Sequence, residues 1–239
     1  MLCNSVITIT FGECAENHKG MQMLGSVGEI GDGFDLSDLT VAQDKLRSIG
    51  IFSQIIHLHE NQPLEEKAYV LVIRQGLSYF GLESQSQLFN EMSTLDFDKK
   101  AYMYGRVVNK RARWNLCFSD VAQEPNYEEK RGRVISWSSV PILNQIKEGL
   151  VNLLGEKGDG LKAESNFYYD KTKCFIGAHG DSERRRVIAV RLGSDMPLYF
   201  HWYKDSRPVG NKITIPLYGG DIYIMSEKAV GTDWKKRSI

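Results

Sequence analysis

The sequence predicts an α+β fold in which a barrel or jelly-roll sandwich of short strands follows a small α/β domain. Two observations lead to this prediction. Between residues 164 and 225, five short β-favouring segments are separated by turns at 193–197, 206–210 and 218–220, a spacing typical of all-β sandwiches and barrels. The first 83 residues instead mix strand and helix patterns, and no internal repeat joins the two parts.

In the N-terminal part, VITIT at 6–10 predicts a strand because β-branched residues fit a pleated surface. Asp38 or Thr40 is a candidate cap for a helix over 41–49, and strands follow at 51–58 and 68–74. The glycines of GSVGEIGDG, at 25–33, do not have GxGxxG spacing and indicate a flexible loop. Residues 1–83 therefore form a small α/β domain of unknown role.

The second domain, 84–239, begins with Ser84 and Gln87, which are spaced as a capping box for a helix over 85–92. A strand is predicted at 101–108, followed by a long polar connection over 109–133. Pro141 suits the first turn of a helix whose apolar residues recur every three to four positions. That stripe consists of Ile142, Leu143, Ile146, Leu150, Val151 and Leu154. The remaining strands are predicted at 164–169, 187–193, 198–203, 213–217 and 221–225.

Composition restricts the class of protein. The chain has 239 residues, 42% of them apolar and 25% charged, which is ordinary for a soluble globular protein. No apolar run is long enough to span a membrane, and the first residues lack the features of a signal peptide. The four cysteines form no CxxC pair. We therefore expect reduced thiols in an intracellular protein, cytoplasmic or nuclear, without a membrane partner and monomeric.

The charge is distributed unevenly although the net charge is zero. Residues 1–100 carry 7 Lys and Arg against 14 Asp and Glu, whereas residues 101–239 carry 23 against 16. A basic second half suits a polyanion, because Lys and Arg attract phosphate groups. Nucleic acid, DNA or RNA, is accordingly the expected partner, although basic faces are also often only solvated.

The stretch NFYYDKTKCFIGAHGDSERRRVIAVRLG, at 166–193, contains the chemically richest motif. On a strand, His179 and Asp181 would share one face, and Gly180 between them would leave room for a ligand. A His-x-Asp pair with a second histidine forms the facial triad of non-haem Fe(II) oxygenases, which leaves three coordination positions open.

Three segments together resemble the AlkB family of Fe(II)/2-oxoglutarate-dependent dioxygenases, and are most similar to its eukaryotic DNA-repair branch. The first is N-x-Y followed by I-G-x-H-x-D-x-E-R and an apolar strand. The second is YGRVVNKRARWNLCFSD at 104–120, and the third is GGDIYIMSEKAVGTDW at 219–234. The resemblance covers residues 85–239. It implies a double-stranded β-helix (jelly roll) with flanking helices, which oxidatively demethylates alkylated bases in single-stranded or flipped-out form.

The resemblance also implies roles for individual residues. His179 and Asp181 would ligate the catalytic Fe(II), and Asn166 and Tyr168 would bind 2-oxoglutarate. The residues expected to contact the nucleic-acid substrate are Tyr104 as a wedge, Arg113, and Glu183 and Arg184 beside the base pocket. Each also has a structural interpretation: Tyr168 as core, Tyr104 as a cross-strand packer, and the arginines as solvated charge.

The sequence departs from the family in its last residues. The family has a second histidine ligand and, slightly later, an arginine that anchors 2-oxoglutarate. Lys236 or Arg237 stands where the histidine is expected, and His201, the only later histidine, lies on a different predicted strand. A chain cut short before the distal ligand, or a natural departure with weakened iron binding, would explain this. We favour the first, because a jelly roll without its last strand would leave an open edge.

Two other functions remain open. The same scaffold serves 2-oxoglutarate oxygenases that act on proteins or small molecules. Alternatively, the missing ligand and arginine would suit a catalytically silent nucleic-acid-binding module, whose binding would depend on salt but not on iron.

Overall fold

The computed structural model describes residues 4–60, 62 and 66–234. They form a mixed α+β fold that is dominated by β-structure and contains few helices. The strands are β1 (Val6–Gly12), β2 (Cys14–Glu16), β3 (Met23–Gly25), β4 (Ser53–His57), β5 (Tyr69–Ile73), β6 (Lys100–Met103), β7 (Arg106–Asn109), β8 (Trp114–Ser119), β9 (Val134–Ser136), β10 (Lys162–Tyr168), β11 (Val187–Gly193), β12 (Leu198–Lys204), β13 (Arg207–Ile215) and β14 (Ile222–Met225). The α-helices are α1 (Leu36–Ser48), α2 (Gln85–Ser93), α3 (Pro141–Leu154) and α4 (Glu227–Val230).

Eight strands form one sheet in the order β4-β5-β14-β11-β1-β10-β8-β9. Neighbouring strands are antiparallel, except that β8 and β9 run parallel. Three two-stranded ribbons, β2–β3, β6–β7 and β12–β13, complete the described β-structure. The large sheet is therefore the frame on which the helices and ribbons are arranged.

Alternation along β1 divides the sheet into two faces. Ile7, Ile9 and Phe11 are fully buried in the main hydrophobic core, which also contains the apolar stripes of α1 and α3. Thr8 and Thr10 point to the opposite face, because successive strand residues alternate. Helices thus cover one face of the sheet and leave the polar face for a site.

Helix α3 begins at the predicted Pro141, and its buried residues are Leu143, Ile146, Leu150 and Leu153. Val151, which the periodicity placed in the stripe, is 38% exposed. Helix α2 is capped by the predicted Ser84, whose Oγ accepts from the amide N–H of Ser86. Helix α1 begins earlier than predicted: Asp35, rather than Asp38 or Thr40, is its N-cap.

Helix α1 is held at its start by a capping box. The Asp35 carboxylate accepts from the Asp38 amide, and the Asp38 carboxylate accepts from the Asp35 amide, both at 2.9 Å. Asp38 is therefore the third helical residue and not the cap. Reciprocal bonding of this kind satisfies two of the amide groups that a helix N-terminus leaves without partners.

The division into a small domain over 1–83 and a second domain over 84–239 is corrected by the sheet. Strands β1, β4 and β5 come from the first segment and pair with β10, β11 and β14 of the second. The same hydrophobic core takes residues from both segments. The segments before and after residue 83 therefore share one sheet and one hydrophobic core, and the boundary does not separate two structural units.

Two further predictions about strands were wrong. The strand predicted at 101–108 is a hairpin, β6–β7, which turns at Tyr104 and Gly105 with φ of 55° and 77°. The connection predicted over 109–133 contains β8, which pairs with β10 inside the large sheet. The apolar core of WNLCFS is too short to show periodicity, so only the pairing reveals it as a strand.

No α-helix in the described part of the chain is both long and apolar enough to cross a membrane. The described cysteines, Cys14, Cys117 and Cys174, are buried free thiols.

Candidate functional site

The polar face of the sheet carries a row of side chains across three adjacent strands. Thr8 of β1 lies opposite Asn166 of β10 on one side and opposite Arg191 of β11 on the other. Thr10 lies opposite Glu164 in the same way. Because register partners point to the same face, these residues are presented together.

A cavity of about 540 Å³ lies over this face. Its other walls come from the β12–β13 ribbon, from the loop that joins β10 to β11, and from the segment that follows β14. Polar and charged residues that line it include Glu164, Asn166, Tyr168, His179, Asp181 and Arg184. Aromatic residues that line the cavity include Tyr199, Phe200, Trp202, Tyr203, Tyr223 and Trp234.

His179 and Asp181 lie in the loop between β10 and β11, not on a strand as predicted. The structure nevertheless brings their side chains together, with His179 Nε2 3.7 Å from Asp181 Oδ1. His179 Nδ1 lies 2.7 Å from the carbonyl oxygen of Gly177. A carbonyl only accepts, so Nδ1 carries the proton that donates to it, and Nε2 is the ring nitrogen on the Asp181 side.

Gly180 is required by its surroundings. A Cβ at this position would be 1.8 Å from the carbonyl oxygen of Gly231 and 2.6 Å from Cδ1 of Trp234. The amide of Asp181 donates to the carbonyl of Val230 at 3.2 Å. The segment after α4 thus packs against the His-x-Asp loop and holds it over the cavity, which replaces the strand pairing that the sequence had indicated.

Arg184 bridges the carboxylates of Asp181 and Glu164 and so restrains the Asp181 side chain. Its Nη2 donates to Glu164 Oε2 at 2.6 Å, and its Nη1 is 3.4 Å from Asp181 Oδ2. The flanking carboxylates raise the pKa of Arg184, while burial raises the pKa of the Asp181 carboxyl. Because Arg184 engages Oδ2, Asp181 presents Oδ1 to His179.

This arrangement revises the role predicted for Arg184 and Glu183 beside a base pocket. Arg184 is 4% exposed and is committed to two carboxylates. Glu183 is not among the residues that line the cavity. Its carbonyl accepts from the Gly28 amide and its carboxylate from the Ser182 hydroxyl, so it secures the loop. The glycine-rich segment predicted to be a flexible loop is therefore tied down at Gly28.

Asn166 and Tyr168, predicted to bind 2-oxoglutarate, both line the cavity. The Asn166 Oδ1 accepts from Arg113 Nε and from Asn115 Nδ2, each at 2.6 Å. Burial raises the pKa of Tyr168 to about 12, so the phenol is a neutral hydrogen-bond donor. Arg113 donates to Asn166 and orients the Asn166 side chain, and its contact with nucleic acid stays a prediction.

Tyr104 lies away from the cavity. It is 93% exposed at the tip of the β6–β7 hairpin and adopts a left-handed backbone conformation with φ of 55°. The predicted cross-strand packing role is therefore wrong, because an exposed tip has no partner strand. An exposed aromatic at a turn is available for stacking.

Arg191 and Thr8 also line the cavity, and the motif did not point to them. Arg191 is the one charged residue in the strand VIAVRLG, in which every residue is buried. A single arginine in an otherwise apolar, buried strand indicates a specific interaction, since arginine is almost never fully buried unless its charge is paired.

The donor chemistry at the pair suits iron only in part. An imidazole nitrogen and a carboxylate oxygen 3.7 Å apart are the donor types of two of the three ligands of a facial triad. Within 4–60, 62 and 66–234, no cluster of three or more His, Cys, Asp or Glu side chains is arranged to hold a metal ion. His201 lines the cavity, but its Nε2 is 3.3 Å from the Gly210 carbonyl and it completes no such cluster. Lys236 and Arg237 lie outside the described residues.

Comparison with known proteins gives one relationship. The chain is 49% identical, over 240 aligned residues, to an uncharacterized protein of Acanthamoeba polyphaga mimivirus. The alignment covers 98% of this chain and 92% of the mimivirus protein. No family model matches the chain.

Proposed function

The chain belongs to the same family as the uncharacterized mimivirus protein, and we propose that it is an AlkB-like Fe(II)/2-oxoglutarate-dependent dioxygenase that demethylates alkylated bases in DNA or RNA. One observation carries the proposal: His179 and Asp181 face each other at 3.7 Å over a cavity that Asn166 and Tyr168 also line. These four residues lie between positions 166 and 181, on β10 and on the loop that follows it, and they meet at one cavity.

The architecture supports a jelly-roll interpretation. The large sheet forms one wall of the cavity, and the β12–β13 ribbon lies across its polar face. Trp202 and Ile215 of the ribbon pack against Val70, Val72 and Tyr223 of the sheet. Two β-layers with a ligand site between them are what a double-stranded β-helix requires.

His179 and Asp181 would hold the iron. The Nδ1–H of His179 is fixed on the Gly177 carbonyl, and Arg184 restrains Asp181, so both ligand atoms are oriented before a metal arrives. Hydrogen bonds of this kind set the tautomer of a ligating histidine and the direction of a ligating carboxylate. Bound Fe(II), with 2-oxoglutarate and O₂, supplies the oxidation of the N-methyl C–H bond, after which formaldehyde is lost.

The cavity fits a cosubstrate together with one base. Its volume of about 540 Å³ is within the range of small-molecule sites, roughly 300–1,000 Å³. Tyr203 and Trp234, whose rings are 5.2 Å apart, line it beside the His-x-Asp loop and are suited to contact a flipped-out base. A base within a duplex would not reach this depth, so the substrate would be single-stranded or flipped out.

The β6–β7 hairpin would contact the nucleic-acid strand. Tyr104 offers an exposed ring at its tip, Arg106 follows on β7, and Lys130 Nζ lies 5.3 Å from the centre of the Tyr102 ring. Cations combined with exposed aromatics are typical of single-strand binding surfaces, in which phosphate contacts supply affinity and rings stack on bases.

A second candidate function is a catalytically silent nucleic-acid-binding module. It is favoured by the ligand count, since the described residues supply two metal ligands and not three. An oxygenase that acts on a protein or small molecule would use the same cavity, but it would give no role to the exposed Tyr104 on the β6–β7 hairpin.

The test is metal and cosubstrate binding under anaerobic conditions. We expect Fe(II) and 2-oxoglutarate to give the visible charge-transfer band of a chelated cosubstrate, and His179→Ala to abolish it. His201→Ala is the matched control, because His201 lines the same cavity away from the pair, and it should retain the band. Release of formaldehyde from N-methylated oligonucleotides would then identify the substrate. Equal spectra for wild type and His179→Ala would refute the iron site.

A further inference from the structure

Arg191 is buried without a partner for its charge. It is 2% exposed, and its Nε and Nη1 make no hydrogen bond within the described part of the chain. Only its backbone is bonded, to Asp221 and Gly220. The side chain lines the cavity. A buried guanidinium with two unused N–H groups destabilises a fold unless something else occupies them.

The neighbouring acids are already engaged. The Asp221 carboxylate accepts from Arg74 Nη1 at 2.5 Å and from the Tyr218 amide at 2.9 Å. Glu164 is paired with Arg184. No ion pair that includes Arg191 is present in the described structure. The positive charge is therefore available to something that enters the cavity.

Other donors converge near Arg191. Thr8 lies directly opposite it in the β1–β11 register, is 6% exposed, and its Oγ1 is also buried without a partner. The Arg191 charge acts on the phenols of Tyr168 and Tyr223, although burial dominates and raises the pKa of both. Both phenols therefore stay protonated, and neither is a counter-ion for Arg191.

From these contacts we infer that the cavity contains a carboxylate-binding subsite in which two N–H groups on one edge of the Arg191 guanidinium donate to the two oxygens of one carboxylate and Thr8 Oγ1 donates to one of them. Two N–H groups on one edge of a planar guanidinium match the two oxygens of a planar carboxylate in a bidentate arrangement. One buried positive charge balances the one carboxylate that enters the subsite, whereas a phosphate dianion would bring both of its charges into it.

The identity of the ligand rests on the proposed function. If the chain uses 2-oxoglutarate, Arg191 would hold the carboxylate remote from the metal, while Asn166 and Tyr168 contact the rest of the cosubstrate. The subsite would then supply the anchoring arginine that is absent from the C-terminal part of the sequence. The anion-binding chemistry itself requires no metal.

The test measures binding of succinate, 2-oxoglutarate, acetate and inorganic phosphate to the metal-free full chain, by calorimetry and thermal shift in the presence of a chelator. We expect the dicarboxylates to bind, Arg191→Met to weaken them by about tenfold or more, and Thr8→Val to weaken them by a smaller factor. Arg106→Met, which removes an exposed arginine from the β6–β7 hairpin, is the matched charge control.

The melting temperature of ligand-free Arg191→Met separates a binding role from a structural one. We expect it to equal or exceed the wild-type value, because an unpaired buried charge is replaced by an apolar chain of similar length. A large fall would show that Arg191 supports the fold and would overturn the inference. So would tighter binding of phosphate than of succinate, or succinate binding that Arg191→Met and Thr8→Val leave unchanged.

Failure of this inference and failure of the proposed function give different results. Succinate binding that depends on Arg191, without a charge-transfer band in the wild-type protein, would keep the subsite and reject the oxygenase. A normal band that Arg191→Met leaves unchanged, at the same 2-oxoglutarate affinity, would keep the oxygenase and reject the subsite.

Discussion

Gly180 lies against the carbonyl of Gly231 so closely that a Cβ at residue 180 would be 1.8 Å from that oxygen. The contact joins the His-x-Asp loop to the segment that follows α4. It explains how His179 and Asp181, the two proposed ligands on an irregular loop, keep a fixed spacing without the hydrogen bonds of a strand.

Gly180→Ala is therefore expected to displace the loop and abolish the Fe(II)–2-oxoglutarate charge-transfer band. The large sheet should persist, because the three atoms nearest to the added methyl group belong to Gly231 and Trp234, outside the sheet. The circular dichroism spectrum should therefore be unchanged. Gly177→Ala is the control in the same loop, since a Cβ there meets nothing within 4 Å. A Gly180→Ala protein with a wild-type band would show that the close packing is dispensable.

Arg184 between Glu164 and Asp181 predicts a large loss of stability. Arg184→Gln should lower the free energy of unfolding by about 3–5 kcal/mol, because it leaves two partly buried carboxylates beside each other. Arg47→Gln, which breaks an exposed pair with Asp44, should cost less than about 1 kcal/mol. Urea denaturation measures both. Similar losses in the two variants would contradict the assignment of Arg184 as a buried organiser.

Lys110 predicts a pH dependence. It is 8% exposed, and its Nζ donates to the Asn17 carbonyl and to Asn115 Oδ1, both at 3.0 Å. Burial lowers its pKa from 10.5 to about 8. Between these values the unfolded chain holds a proton that the folded chain has released, so the stability contributed by Lys110 rises with pH across this window.

The measurement compares wild type with Lys110→Met by urea denaturation at about pH 7.5 and about pH 10.5. The free energy of unfolding of the wild type, minus that of Lys110→Met, should increase by up to roughly 3 kcal/mol as pH rises, at about 1.4 kcal/mol per pKa unit. Subtracting the two free energies cancels the contribution of the tyrosines and cysteines, because these residues titrate in both proteins. Parallel curves would contradict a depressed Lys110 pKa.

Tyr104 predicts a loss of nucleic-acid affinity without a loss of stability. Tyr104→Ala should weaken single-stranded oligonucleotide binding by about 1–3 kcal/mol, the range for one stacked base. Its melting temperature should not fall, because the ring is 93% exposed. Phe52→Ala, a 68% exposed aromatic on another part of the surface, is the control. Fluorescence anisotropy at two salt concentrations would detect the change, and equal losses in both variants would argue against a stacking surface on the hairpin.

Local patterns predicted individual elements well and their partners poorly. The strand over 187–193 has the predicted bounds, and the helix at Pro141 begins where its fixed φ allows it. Leu153 is buried and Val151 is exposed, whereas the periodicity placed Val151 in the apolar stripe. Which residue at the edge of a helix face is buried depends on what packs against it. The domain boundary at residue 83 failed because β1 pairs with strands from the far end of the chain, which no local pattern reveals.

The site followed the same rule. His179, Asp181, Asn166 and Tyr168 were predicted from a motif, and the structure brings them to one cavity. The contacts of Arg113 with Asn166, and of Arg184 with Glu164 and Asp181, could not be predicted, because they join residues that are distant in sequence or lie on an irregular loop. Arg191 was missed because it stands out only through the absence of an ion-pair partner in the described structure, and the sequence does not show which residues surround a side chain.

The first strand of the chain is also the centre of the sheet. β1 pairs with β10 on one side and β11 on the other, so the middle of the fold cannot close until both have been synthesised. Contacts of such long sequence separation slow folding, and the emerging VITITFG segment would remain an unpaired, aggregation-prone β-strand meanwhile. We therefore expect the protein to refold slowly, to depend on chaperones during synthesis, and to resist division into independently folding halves.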